Sequence, residues 1–375
     1  MTEKRVKLTG LFTSPSIRIY PPTQHTFSDW TAEDIVNNRR YLLSHPAVIV
    51  LLFLAKPMDS DSVGEFLAEK LDLAREITNL LLADLIKKDL ILTRPPSRYF
   101  KKSIFHAVTT MQAWREFGWG HAVNYHLHCY NYPFLEERPG GFELANQRMP
   151  DYSANEPDTQ RFKVTESSPL PGRMLPVPDA FLFQEPAQHL FTKPRNSRLK
   201  RLSARDITRI LAMTIGITDR RTVNWEGEPL LRKTTPSGGS RHPTEAYLYV
   251  RSMAEIEPGY YHAQVLPPQL VRLAYQSDTP FESIFPRMVS DCPFKVRAVI
   301  VFTTLFERNM YRYREPRTFR SVHMDVGHLI GTVTALATLA GIRTFVQYGT
   351  ADQEVELALA LNGLTEGVQA CVGLG

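Results

Sequence analysis

The sequence predicts an α+β chain, and three observations carry that reading. Apolar residues recur at helical spacing from Val63 to Leu85. Short strand-like runs follow much later, at Ala246-Tyr247-Leu248-Tyr249-Val250 and Val299-Ile300-Val301-Phe302. A second helical repeat, Val326, Leu329, Ile330, Val333, Ala337 and Ala340, ends at Gly341. Between these regions, Pro133 to Pro194 holds ten of the chain's 27 prolines, which removes backbone donors and forbids long helices. The 375 residues suit two or three domains. The expected division is a docking module at 1–100, an aromatic-rich helical segment at 101–150, a Pro-rich linker at 151–193 and a mixed domain at 194–375.

In the first module, Arg40 to Ala55 reads as a helix. Pro57-Met58-Asp59-Ser60 opens another, Leu73 to Lys87 a third, and Leu90-Ile91-Leu92 a short strand. This order resembles a winged helix-turn-helix. The third helix mixes Arg75 and Lys87 with Glu76 and Asp84, which suits a groove-reading helix poorly. A net charge of +5 over the whole chain is also far from a concentrated basic face. No nucleic-acid partner is expected, and the module is expected to hold a peptide.

The longest apolar run, Ala47 to Ala55, is nine residues, against about twenty for a membrane span. Met1-Thr2-Glu3-Lys4-Arg5 mixes charges with no apolar stretch behind it, so neither a secretory signal nor a membrane association is expected, and the location expected is cytoplasmic. Cys129, Cys292 and Cys371 are widely separated and form no C-x-x-C pair, which predicts reduced thiols and no zinc cage. His121, His126 and His128 sit among Trp114, Phe117, Trp119, Tyr125 and Tyr130 without an acidic partner at motif spacing. They read as structural, and no metal is expected.

In the mixed domain, Ser203 with Asp206 three residues on predicts a capped helix stopping near Gly216. A hairpin is expected around Gly259-Tyr260-Tyr261 and Pro267-Pro268. Gly327, Gly331, Ala335 and Ala337 would let a second backbone approach the last helix closely, as at the centre of a dimer.

Two segments point to a ligand. In Thr235-Pro236-Ser237-Gly238-Gly239-Ser240-Arg241-His242-Pro243-Thr244-Glu245, adjacent glycines admit a flat or anionic ligand, and hydroxyls and loop N–H groups are on offer. The same residues also suit a simple turn. No Gly-Lys-Ser/Thr follows and the spacing Gly-x-Gly-x-x-Gly is missing, so neither a nucleotide-hydrolase loop nor a dinucleotide fingerprint is present. Upstream, Arg198, Lys200 and Arg201 precede the capped helix, where an anion such as phosphate is favoured, although a solvated basic run would look alike.

Ser197-Arg198-x-Lys200, the Pro-Ser-Gly-Gly-x-Arg-His-Pro-x-Glu-x-Tyr loop at 236–247, Pro258-Gly259-x-Tyr261 and Asp325-x-Gly327-His328 together resemble the SagB/McbC-type dehydrogenases of the flavin nitroreductase superfamily. The resemblance spans Pro194 to Gly375 and, more weakly, the N-terminal module. It implies an FMN-dependent nitroreductase-like domain in an interlocked homodimer, active in peptide maturation. Ser197, Arg198 and Lys200 would hold the FMN phosphate and ribityl chain. Pro236, Ser237, Gly238, Gly239 and Ser240 would line the isoalloxazine, and Gln347 would stand near flavin N5.

Azoline-oxidising members use a Lys-Tyr pair in proton removal. The matching positions here are Arg312-Tyr313, with one extra residue before Gly327-His328. Arginine stays protonated at working pH. Tyr313 therefore becomes the expected base, its phenol acidified by Arg312 or Arg314, with Arg312 stabilising charge. The insertion leaves Tyr311 as a substitute. The function implied is azoline-to-azole oxidation on a ribosomal precursor peptide, with a cyclodehydratase complex as a further partner. The alternatives are an NAD(P)H-dependent nitroreductase or flavin reductase, and a non-catalytic peptide adaptor.

Overall fold

A computed structural model describes residues 10–23, 29–130, 132, 134–155, 161–165, 172–179, 201–222 and 229–375. The chain separates into two compact units, 1–134 and 135–375.

The first unit contains β1 (Phe12–Thr13), β2 (Ile17–Tyr20), β3 (Trp30–Asp34), β4 (Arg39–Leu43), α1 (His45–Phe53), α2 (Ser60–Leu71), α3 (Arg75–Lys87), β5 (Ile91–Leu92), α4 (Lys102–Glu116) and α5 (Gly120–Cys129). Antiparallel β2, β3 and β4 form one sheet and β1 pairs with β5. Asp59 caps α2 by accepting from the N–H groups of Asp61 and Ser62. Leu51, Leu54, Val63, Leu67, Leu82 and Leu85 pack α1, α2 and α3 into one core. The expected helix from Arg40 is corrected at its start: Arg40 to Leu43 pair with Glu33 to Trp30 as β4, and helix begins only at His45.

The second unit contains α6 (Gly141–Asn155), β6 (Arg173–Met174), α7 (Ala204–Ile215), β7 (Ile217–Arg221), β8 (Leu230–Lys233), β9 (Thr244–Val250), β10 (Gly259–Val265), β11 (Pro268–Arg272), α8 (Phe281–Ile284), α9 (Pro286–Ser290), β12 (Ala298–Leu305), α10 (Glu307–Met310), α11 (Phe319–Leu339), β13 (Thr344–Gln347), α12 (Asp352–Ala358) and β14 (Glu366–Leu374). The expectation that the prolines after Pro133 forbid long helices is corrected by α6, fifteen residues long with Pro150 inside it, since a single proline removes only one helical hydrogen bond. Seven strands form one antiparallel sheet in the order β13-β14-β12-β9-β10-β11-β6, which gives the α+β fold its centre.

Period-two alternation explains why this sheet is buried on both faces. Ala246, Leu248, Ile300, Phe302, Ala370 and Val372 pack against Ile207, Leu211, Val326 and Val333 of α7 and α11. Tyr247, Val299, Val301 and Cys371 face the opposite way, against Phe281, Met288 and Val355. The Ser203–Asp206 capping box starts α7. Gly216 ends it with φ −64°, so its role is space: a Cβ there would lie 2.3 Å from the Ala212 carbonyl and from Pro178.

Cys129, Cys292 and Cys371 are free thiols, the first and last buried. No helix among the described residues is long and apolar enough to cross a membrane.

Candidate functional site

The loop 234–243 joins β8 to β9 and is tied down at both ends. Thr235 Oγ1 donates to the Thr214 carbonyl at the end of α7, 2.8 Å away. Ser237 Oγ donates to Asp325 Oδ2 in α11 at 2.6 Å, the Gly238 N–H reaches Oδ1 at 3.3 Å, and the His242 N–H donates to Ser237 Oγ at 2.9 Å. Gly239 (φ +59°), Ser240 (φ +53°) and His242 (φ +47°) all occupy the left-handed region, which costs a non-glycine residue about 1–2 kcal/mol. The clamp to Asp325 offsets that strain. Ser237 and Gly238 therefore spend on Asp325 the polar groups that the sequence offered to a ligand.

A second tie joins this loop to the segment carrying the expected base. Arg308 of α10 is fully buried. Its NH1 meets Glu245 Oε1 at 2.6 Å and donates to the His242 carbonyl at 3.0 Å. In return Arg241 Nε donates to the Arg308 carbonyl at 2.8 Å. The Arg241 guanidinium lies 5.2 Å from the Tyr311 ring centroid, and that of Arg312 lies 5.2 Å from the Tyr313 ring. The Tyr313 hydroxyl rests on Gly239: a Cβ built on that glycine would be 2.1 Å from the phenolic oxygen. Tyr311 is thus held under Arg241, while Tyr313 meets the double glycine.

The charges are unusual for so enclosed a place. Burial pushes the Asp325 carboxyl above its ordinary value, partly opposed by its bonds to Ser237 and Gly238. Burial also lowers His242 to about 3 and Lys233 to about 8. Neutral His242 donates from Nε2 to the Leu231 carbonyl at 3.0 Å. For Glu245, burial acts upward, but Arg308 and His262 outweigh it and keep the carboxylate charged.

Beside Tyr313, a cavity of about 520 Å3 is lined by Phe306, Asn309, Met310, Phe319 and Leu364 among others. Gln347 stands on the edge strand β13, beyond β14 and β12 from β9. Its Nε2 donates to the Gly349 carbonyl at 2.7 Å, and its buried Oε1 finds no partner among the described residues. Ser197, Arg198 and Lys200 lie outside the described residues.

Sequence reasoning gave no role to Arg241, Glu245, Arg308 or Asp325. The first two and Asp325 stand within the motifs already quoted, whereas nothing local marks Arg308. The histidines of α5 include one with an acidic partner: His128 Nε2 lies 3.4 Å from Glu33 Oε2, and that carboxylate raises its pKa. No group of metal-ligating side chains is found among the described residues.

No family model matches the chain. Over 193 residues, 50% of this chain, it is 33% identical to the trifolitoxin-processing protein TfxB of Rhizobium leguminosarum bv. trifolii and covers 51% of it. Over 163 residues, 43% of this chain, it is 28% identical to a protein named as a nitroreductase in Methanocaldococcus jannaschii, covering 75% of that protein. In sequence the chain is thus similar to a peptide-toxin-processing protein and to a protein named as a nitroreductase. The chain spans about half the length of TfxB, the first curated relative it matches. Solved structures with partial likeness include a nitroreductase-like protein from Anabaena variabilis (21% identity, TM-score 0.43, 61% of this chain and 46% of that one). Another is the E. coli microcin synthetase McbBCD complex with truncated pro-MccB17 bound (21%, TM-score 0.39, 60% of this chain and 86% of that one).

Proposed function

We propose that this chain is an FMN-dependent oxidoreductase that dehydrogenates a ribosomal precursor peptide, converting an azoline ring to an azole. The observation that carries the reading is the seat of the Tyr313 hydroxyl on Gly239, which joins the candidate base to the candidate flavin loop. Similarity to a trifolitoxin-processing protein supports a peptide as substrate.

Two features suit a flavin. A Cβ on Gly238 would meet nothing nearer than 3.8 Å, so the loop surface is open there. The orphaned Gln347 Oε1 is an acceptor that a ring N–H would satisfy. Pro236 to Ser240 and Gln347 would hold the ring system, and Ser197, Arg198 and Lys200 the phosphate. When bound, FMN supplies the two-electron acceptor that a dehydrogenation requires.

Tyr313 enters as the phenolate, takes the Cα proton of the azoline at that oxygen and is left as the neutral phenol. Arg312, beside the Tyr313 ring, offsets negative charge as that proton leaves. Asp325 and Arg308 are positioning residues: one fixes the loop, the other fixes α10 against it. A second copy of the chain completes each site. The exposed stripe of α11 favours this, since a Cβ on Gly327 or Gly331 would touch nothing within 4 Å. The first unit would hold the remainder of the peptide, and a cyclodehydratase would supply the ring.

The test is mass spectrometry of a thiazoline peptide incubated with the flavin-loaded protein in air. A two-hydrogen mass loss is expected, and an unchanged mass would refute the reading. Relatedness to the Methanocaldococcus protein favours a second reading, reduction of a small acceptor by NAD(P)H. Rapid bleaching of the flavin by NAD(P)H would support that alternative.

A further inference from the structure

The cavity beside Tyr313 has a volume of about 520 Å3, within the usual range for ligand sites. Its walls come from places far apart in sequence: Phe306 and Met310 around α10, Phe319 and Val322 in the first turn of α11, and Leu364 before β14. Three of these large apolar side chains remain accessible: Met310 at 57%, Phe319 at 43% and Leu364 at 91%. Apolar surface gathered around a hollow is a mark of a binding site, because exposing it costs free energy that a ligand would recover.

The charged side chains in the lining are one of each sign, Arg314 and Glu315. Both are engaged: the Arg314 guanidinium lies 3.8 Å from the Tyr152 ring centroid, and Glu315 accepts from Thr318 Oγ1. The cavity therefore selects by its apolar walls rather than by charge.

We infer that this cavity is a specificity pocket that takes a bulky apolar side chain, of phenylalanine size, from the peptide substrate. For the ligand's being a peptide, the inference rests on the function proposed above. Because Tyr313 forms one wall, the residue seated here is a near neighbour of the one that loses its proton. Filling the pocket thus selects which ring is presented to Tyr313.

The test uses the flavin-loaded full chain and two synthetic thiazole peptides, carrying Phe or Gly on one side of the ring. Phe is expected to bind about tenfold or more tightly than Gly. Leu364→Ala and Phe319→Ala, both at accessible positions, are expected to erase most of the Phe preference while leaving flavin content unchanged. Equal binding of Phe and Gly peptides, no detectable binding of either, or a preference that survives both truncations overturns the pocket. Oxidation is read separately on thiazoline counterparts. A Phe preference without any two-hydrogen mass loss would refute the oxidation reading and leave the pocket standing.

Discussion

The Tyr313 hydroxyl rests on the backbone of Gly239, close enough that a methyl group on that glycine would overlap it at 2.1 Å. The contact joins residues 74 positions apart in sequence, and it depends on Arg308 and Arg241 exchanging bonds with each other's backbone neighbourhood. Gly239→Ala is expected to push the phenol aside and strain a backbone at φ +59°, for a stability cost of about 1 kcal/mol. Turnover should fall about tenfold or more, because the base is displaced. Steady-state rates, with thermal melting as a control, check both parts.

Tyr313→Phe should leave flavin bound and slow turnover by roughly 10²-fold or more. Combining it with Gly239→Ala should add little further loss, since both changes remove the same placed hydroxyl. Tyr311→Phe should be nearly neutral in the same assay, as that ring lies against Arg241. Equal losses at the two tyrosines would return the role of base to an open question.

Asp325→Ala removes the acceptor for Ser237 Oγ and the Gly238 N–H together. The expected cost is about 1–3 kcal/mol of stability, with weakened flavin retention. Denaturant titration and flavin release on gel filtration measure the two effects. Asp325→Asn, which keeps one acceptor, should fall between the wild type and Asp325→Ala.

His242 supplies a pH dependence with a definite sign. Burial holds it neutral down to about pH 3, whereas the unfolded chain takes up the proton near the ordinary histidine value of 6.5. Below that value the unfolded state binds more protons, so this contribution falls as pH drops from 6.5 towards 3, at up to about 1.4 kcal/mol per pH unit. Asp325, whose pKa is raised, acts in the opposite direction. Comparing His242→Gln with wild type cancels the Asp325 contribution. The variant should show a shallower loss of stability across that window.

Arg198→Ala with Lys200→Ala should strip FMN from the purified protein, since a phosphate loses its paired cations. Full retention of flavin in the double variant would refute that assignment.

What the sequence made legible was local. The capping box at Ser203 and Asp206, the runs at 246–250 and 299–302, and α11 up to Gly341 depend on neighbours a few residues apart. Arg40 to Leu43 were misread because Tyr41, Leu42 and Leu43 stand only three residues before the apolar run of α1 and the Ser44-His45-Pro46 start signal between them was passed over, while their partners on β3 are supplied by tertiary pairing. The site was legible only as motifs. That Ser237 would be taken by Asp325, 88 residues away, or that Glu245 would meet Arg308, depends on how β9, α10 and α11 converge. Glu33 is likewise an unseen partner for His128, because it comes from a strand nearly a hundred residues earlier.

The most direct measurement is the visible absorption spectrum of the full chain after incubation with FMN and gel filtration. The account predicts a yellow protein that carries flavin in stoichiometric amount and loses it when Asp325 is replaced by Ala. A folded but colourless protein, with all FMN recovered in the low-molecular-weight fraction, would contradict it.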